Sequence, residues 1–305
     1  MTRVAAIDCG TNSIRLLVAD TAPGGALHDV HRETRIVRLG QDVDRTGRLA
    51  ADALERTRVA VGDYAAIVAG LRAERVRMVA TSATRDAANR SEFVDLVRAE
   101  LGVEPEVISG AEEAALSFAG AAGGLPAGAF PLLLADIGGG SSELVRGGGA
   151  APLIAHSMDI GSVRMTERHL HDDPPTADQV AAAERDVRRA IAAARADVSL
   201  ERPVTLVGVA GTVTTVAALA LGLSTYSRDA IHGAVVSAEQ VRAVAHRLLT
   251  LPHDERAAVP VIHPGRVDII GGGVIILRTL LDEVGVDELV ASEHDILDGI
   301  ALSLV

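Results

Sequence analysis

The feature that most constrains this chain is a turn that occurs twice. Residues 132–146, LLLADIGGGSSELVR, run from an apolar stretch through an acidic residue, three glycines and two serines to a second acidic residue. Leu132 to Ala135 predict a buried strand that ends at Asp136. Gly138, Gly139 and Gly140 permit positive φ and carry no Cβ. Backbone N–H groups of this turn, with Ser141 and Ser142 beside them, can therefore close around a bulky anion such as phosphate. Asp136 and Glu143, seven residues apart, supply the oxygen ligands that a hard cation takes when it accompanies phosphate. A tight hairpin with a polar tip accounts for the same stretch, because a glycine run alone is a weak motif.

A degenerate copy lies nearer the N-terminus. AAIDCGTNSIRLLVAD, residues 5–20, again runs strand, Asp8, Gly10, the small polar residues Asn12 and Ser13, then strand. Two such units in one chain imply related half-molecules facing a shared cleft, each giving one turn to the same phosphates. The expected fold is α/β, with two related domains of the actin-like ATPase type found in acetate and sugar kinases, heat-shock chaperones and actin. The segment GAAGGLPAGA, 120–129, sets the boundary: residues 1–124 form one domain and 125–305 the other, with the last helix packing on the cleft side and back onto the first.

Composition removes several classes of function. All 29 basic residues are arginine, so the lysines of a P-loop, a protein kinase or a pyridoxal enzyme are missing. A net charge of −12 argues against a broad basic face for nucleic acid. Cys9, the single cysteine, allows no disulfide within the chain and fits a reducing cytoplasm. The apolar run before Asp8 is too short for a signal-peptide core. The uncharged stretch 204–223 carries Gly208, Gly211, Thr212, Thr214 and Thr215 in its middle, which predicts strand, turn and buried helix, not a membrane span.

The remaining candidates sit near turns. Residues 51–71 predict an amphipathic helix with Leu54, Val61, Tyr64 and Val68 on one face. TSATRDAAN, 81–89, reads as a hydroxyl-rich loop presenting Arg85, whose planar fork suits phosphate. Ser91 is the expected cap of a helix closed by Gly102. In SGAEEA, Ser109 and Glu112 form a capping box, so the Glu112 carboxylate has a structural task. Glu113, on another side of the first turn, is the candidate general base. Residues 176–196 predict a solvated outer helix, and His169, His171, Asp172 and Asp173 a polar loop before two prolines. Gly211 and Thr212 follow a strand at a helix N-terminus, which favours an anion. Arg164 follows a Gly-Ser turn, and the segments IHG, 231–233, and GRVDIIGGGVIIL, 265–277, place His232, Arg266 and Asp268 near further glycine turns.

The ordered set DCGTNS, TSATRDA, ISGAEEA, DIGGGSSEL, IGSVRMTE, GVAGTVTT and SEHDILDG resembles the exopolyphosphatase and guanosine pentaphosphate phosphohydrolase family over essentially the whole chain. The resemblance implies Glu113 as the catalytic glutamate and Asp136 and Glu143 as metal and water-orienting carboxylates for Mg²⁺ or Mn²⁺, with Asp8 next in line. It implies phosphate contacts from Asn12, Ser13, Arg85, Gly138, Gly139, Gly140, Ser141, Ser142, Gly211, Thr212 and Arg266. Inorganic polyphosphate is the implied substrate and pentaphosphate nucleotide the alternative, disfavoured because no base-stacking aromatic is visible. Long family members continue into a helical C-terminal region that this chain lacks, so short polyphosphate chains are expected to be favoured. A homodimer is implied. A kinase of the same fold and a non-catalytic nucleotide-binding protein are the rival classes.

Overall fold

The computed structural model describes residues 2–22, 26–123, 130–148, 151–201 and 205–305. Of the glycine-rich boundary segment, 124–129 lie outside the described residues. The chain groups into two compact units, one comprising Met1–Gly123 with Asp295–Val305, the other Gly124–His294.

The first unit holds β1 (Arg3–Cys9), β2 (Ser13–Thr21), β3 (Leu27–Ile36), β4 (Arg75–Ala80) and β5 (Glu106–Val107), in the order β3-β2-β1-β4-β5. β1 to β3 are antiparallel neighbours, while β4 and β5 run parallel to β1. Strand β1 is buried on both faces, as the central strand of a two-sided sheet should be. Ala5 and Ile7 pack toward the helices Ala51–Gly70 and Arg90–Leu101, and Val4 and Ala6 toward the opposite core with the final helix Ile296–Leu302. That final helix crosses the helix Gly110–Ala122 closely. A Cβ on Gly120 would strike the Asp295 carbonyl, and one on Gly299 the Leu116 carbonyl.

The second unit holds β6 (Leu132–Ile137), β7 (Ser142–Gly148), β8 (Ala151–Met158), β9 (Thr205–Val209), β10 (Val235–Ser237) and β11 (Glu288–Ala291), in the order β10-β11-β9-β6-β7-β8. Read from β8, this is the first sheet again: β8, β7, β6, β9 and β11 take the places of β3, β2, β1, β4 and β5, with β10 added at the edge. The parallel and antiparallel pairings match as well. Both units are therefore α/β with mixed sheets of the actin-like ATPase type.

Four local expectations are corrected. Residues 82–86 are not loop but a short helix, Ser82–Asp86, directly after β4. Ser91 lies inside the helix Arg90–Leu101; the cap position is Asn89, whose side chain instead bonds both backbone groups of Leu49, at 2.8 and 3.1 Å. Helix Ala177–Ala194 is amphipathic, not purely outer: Ala183, Val187, Ile191 and Ala194 are buried in the core. Gly271, Gly272 and Gly273 form the first turn of the helix Ile270–Val284. They are needed there for close packing, since a Cβ on Gly272 would lie 2.5 Å from the Ser162 carbonyl and one on Gly273 would strike the Thr212 hydroxyl.

Candidate active site residues in the two units

The two turns are built alike. Gly10 N–H donates to the Ser13 carbonyl at 2.9 Å, and Gly138 N–H to the Ser141 carbonyl at 3.1 Å. Neither Gly10 nor any of Gly138, Gly139 and Gly140 has positive φ. Close approach, and not backbone handedness, explains at least part of the second turn: a Cβ on the facing Gly161 would run into Gly139 and Gly140.

In the first unit, β1 and β2 set Asp8 opposite Arg15. Arg15 donates from Nε and Nη2 to Asp8 Oδ2 at 3.0 and 2.7 Å, and from Nη1 to Asp295. Burial pushes the Asp8 carboxyl above the usual carboxylate range, and the Arg15 charge only partly offsets it. Burial acts the same way on Asp295, but there Arg15 prevails and the net shift is downward. Asn12 is buried, its carbonyl accepting from the N–H groups of Val37 and Arg38 at 3.1 and 2.9 Å. Ser13 is half-buried at the start of β2. The Thr11 and Ser82 hydroxyls, 3.0 Å apart, tie this turn to the short helix that carries Arg85.

The neighbouring glutamates separate as their positions on the helix Gly110–Ala122 require, about 100° apart around the axis. The Ser109 hydroxyl accepts the Glu112 N–H at 3.2 Å. The expected return bond is not the one formed, because the Glu112 carboxylate turns to Arg77 at 3.0 Å. Glu113 is buried, 8% exposed, and its Oε2 meets Arg85 Nη1 at 3.0 Å. The same Arg85 nitrogen donates to the Ile108 carbonyl at 3.0 Å. The candidate base and the candidate phosphate-binding arginine are thus one contact pair, which their separation in sequence gave no means of seeing.

In the second unit, β6 and β7 set Asp136 opposite Glu143, and both are buried. Ser157, the partner of Glu143 on β8, donates its hydroxyl to Glu143 Oε1 at 2.7 Å. Ser162 and Val163 N–H donate to the Gly138 and Gly139 carbonyls at 2.9 and 2.8 Å, and Arg164 Nε to the Gly140 carbonyl at 2.7 Å. Arg164 therefore braces the turn. The buried Ser142 hydroxyl gives its proton to the Ile160 carbonyl at 2.7 Å, and Ser141 is buried beside it.

Ala210 follows β9 with φ of 69°, a strained value for a residue with a Cβ, and begins the helix Ala210–Ala220. Arg266, at the end of the short 3₁₀ turn Pro264–Arg266, lies across Gly211: a Cβ there would occupy the guanidinium. Thr212 is buried against Gly273. One residue was missed in the sequence: Tyr226, 40% exposed, donates its hydroxyl to Glu293. Burial raises its phenol above the usual range and Glu293 adds to the shift, while Thr214 and the charge of Arg266 oppose it. Only its rarity could have flagged it, since the chain has just two tyrosines. The polar residues 169–173 divide between partners: His169 meets Asp186 at 3.0 Å and Asp173 meets Arg256 at 2.6 Å.

Among the described residues no group of three or more His, Cys, Asp or Glu side chains is placed to hold a metal. A pair of buried carboxylates on adjacent strands still fits Mg²⁺, which keeps several waters and takes one or two carboxylates along with substrate phosphate. No helix of the described residues is long and apolar enough to cross a membrane.

Residues 17–305 match the family model described as the Ppx/GppA phosphatase family. Exopolyphosphatase 2 of Mycobacterium tuberculosis is 53% identical, covering 100% of this chain and 99% of that protein. A bifunctional 3-dehydroquinate synthase/phosphatase of Fusobacterium nucleatum is 30% identical over 98% of this chain and 46% of its own length. Among solved structures, an exopolyphosphatase-like protein superposes with a TM-score of 0.96 at 46% identity, covering 99% of this chain and 97% of that one. An Aquifex aeolicus Ppx/GppA protein superposes with a TM-score of 0.82 at 32% identity, with 99% and 97% covered.

Proposed function

The chain belongs to the Ppx/GppA phosphatase family, and from that membership we propose that it is an exopolyphosphatase that hydrolyses the terminal phosphoanhydride of inorganic polyphosphate. The observation that carries this reading is the buried Glu113 carboxylate held at 3.0 Å by Arg85. A base placed against a phosphate-seeking cation is what attack of water on a bound phosphoryl group requires. Glu113 orients a water and takes its proton as the water oxygen bonds to the terminal phosphorus. The bridging P–O bond breaks, and the shortened chain leaves with the electron pair. Arg85 stabilises charge on the phosphoryl oxygens; the backbone of the 138–142 turn, Gly211 and Arg266 are the phosphate contacts that the family resemblance implies in the second unit. Asp136 and Glu143 would hold Mg²⁺ or Mn²⁺, which when bound neutralises phosphate charge.

The test is phosphate release from short polyphosphate, long polyphosphate, pentaphosphate nucleotide and ATP side by side. Polyphosphate should be the best substrate, with short chains cleaved at least as well per end as long ones. Release of ADP from ATP only in the presence of an acceptor would instead make the protein a kinase. No turnover at all would make it a binding protein. Pentaphosphate nucleotide is the second reading, and one observation favours it: Tyr226 is a partly exposed aromatic whose hydroxyl feels the charge of Arg266. A cytoplasmic homodimer completes the proposal, supported by the lone buried thiol of Cys9 for the compartment and by the family resemblance for the dimer.

A further inference from the structure

The two sheets can be compared rung by rung. Across the first run Val79, Asp8, Arg15 and Thr34; across the second run Val209, Asp136, Glu143 and Ser157. Three of the four positions match in chemical type: a valine, an aspartate and a small hydroxyl residue. The fourth is reversed in charge, with arginine in one sheet and glutamate in the other. We infer that Arg15 stands where a divalent cation would stand in the first hairpin, and that its charge keeps Asp8 and Asp295 from taking one.

The contacts of Arg15 are those of an ion between two carboxylates. Its guanidinium is shared between Asp8 Oδ2 and Asp295 Oδ2, and all three side chains are largely buried, at 18%, 7% and 8% exposed. Asp8 Oδ1 is buried and has no hydrogen-bond partner. A carboxylate with one oxygen satisfied by a cation and the other left dry is costly to bury, and it persists only because the cation cannot leave. A mobile Mg²⁺ or Mn²⁺ would offer no such permanence. With a covalently attached charge, the first turn keeps its shape whether or not substrate and metal are present. Arg15 is thus a positioning residue that also ties the N-cap of the final helix, Asp295, to the Asp8 turn.

The inference rests on the reading of Asp136 and Glu143 as the metal carboxylates, and the experiment separates the two. Mn²⁺ is titrated into the full chain and bound ion is counted by electron paramagnetic resonance, with a thermal melt of each variant as a folding control. Wild type should bind one Mn²⁺ per chain. Arg15→Glu, which recreates the Asp136–Glu143 pair on the first sheet, should bind two, and the added ion should vanish in Arg15→Glu/Asp8→Asn. Arg15→Lys, which keeps the charge, should remain at one. If Arg15→Glu does not fold without metal, its melting temperature should rise on adding Mn²⁺. Arg15→Gln then serves as the second variant and should gain a weaker, Asp8-dependent ion. A folded Arg15→Glu or Arg15→Gln that binds no additional Mn²⁺ overturns the inference, as does a wild-type ion that depends on Asp8. A gain at Asp8 with no loss in Asp136→Asn/Glu143→Gln supports the role of Arg15 and removes the metal reading of the second hairpin.

Discussion

Asp136 and Glu143 face each other across one rung of the β6–β7 ladder, the rung on which β1 and β2 set Asp8 against Arg15. Side chains directly opposite in an antiparallel pair have Cβ atoms about 5 Å apart, so these carboxylates can grip one ion together. Glu143→Gln keeps the shape and removes a charge. It should raise the Mg²⁺ concentration for half-maximal phosphate release about tenfold or more, equivalent to ~1.4 kcal/mol. Ser157→Ala, which frees Glu143 Oε1 from its 2.7 Å hydrogen bond, should shift the requirement in the same direction. An unchanged metal titration in both would place the ion elsewhere.

Glu113 and Glu112 should part company kinetically. Glu113→Gln retains the contact with Arg85 but cannot accept a proton, so kcat should fall about 10²- to 10⁴-fold with KM within a few-fold. Glu112→Gln loses only a half-exposed pairing with Arg77, and the cost should stay below about 1 kcal/mol of stability with turnover intact. A large loss of kcat in Glu112→Gln would mean that the wrong member of the pair has been assigned.

Gly211→Ala tests Arg266. The new methyl would displace the guanidinium, a flexible group that can swing away, so the fold should survive. KM for polyphosphate should rise well before kcat changes, and Arg266→Ala should reproduce the effect without adding to it in the double variant. Additive losses would show that Gly211 acts through its own backbone.

The sequence disclosed the parts of the molecule that depend on local chemistry. The apolar runs and acidic turns at 5–20 and 132–146 announced two equivalent strand-turn-strand units, and both formed. Ser109 before two glutamates announced a helix N-terminus and separated Glu112 from Glu113. Contacts across the sequence were another matter. Arg85 meets Glu113 through the short helix at 82–86, which a five-residue hydroxyl-rich segment does not signal by periodicity. Gly271 to Gly273 looked like a turn because three glycines disfavour a helix by propensity, yet tertiary packing against Ser162, Thr166 and Thr212 prevails. The reversed charge at Arg15 was visible in the letters, but its meaning required the register that puts it opposite Asp8.

Asp173 marks a structural charge outside the candidate site. It accepts from buried Arg256 at 2.6 Å and from the His253 N–H at 2.6 Å. Asp173→Ala leaves a buried guanidinium without its carboxylate, which in a fully buried pair costs about 3–5 kcal/mol and here less, because the Asp173 side chain is 42% exposed and water reaches its place. Part of that is spared because Arg256 still donates to the Leu251 carbonyl at 2.5 Å. Denaturant unfolding should show a loss below this range, and one under about 1 kcal/mol would mean that water replaces the carboxylate entirely.

His253 makes the same region sensitive to pH. Its Nδ1 meets Asp254 and its Nε2 meets Asp268, each at 3.1 Å. The Asp254 hydrogen bond is the main reason its pKa lies above the ordinary histidine value; slight desolvation and Arg256 oppose it, and the charges of Asp268 and Asp254 reinforce it. The folded state therefore holds the proton more tightly than the unfolded chain does. The stabilisation is fully present below the unfolded histidine pKa of about 6.5 and is lost as pH rises through the folded value. The melting temperature should fall between pH 6 and pH 8 more steeply in wild type than in His253→Gln or Asp254→Asn. Because the imidazole is exposed, the difference should be small and should collapse in 1 M NaCl, where the Debye length is about 3 Å. Identical pH profiles for wild type and His253→Gln at low salt would show that the pair contributes no linked stability.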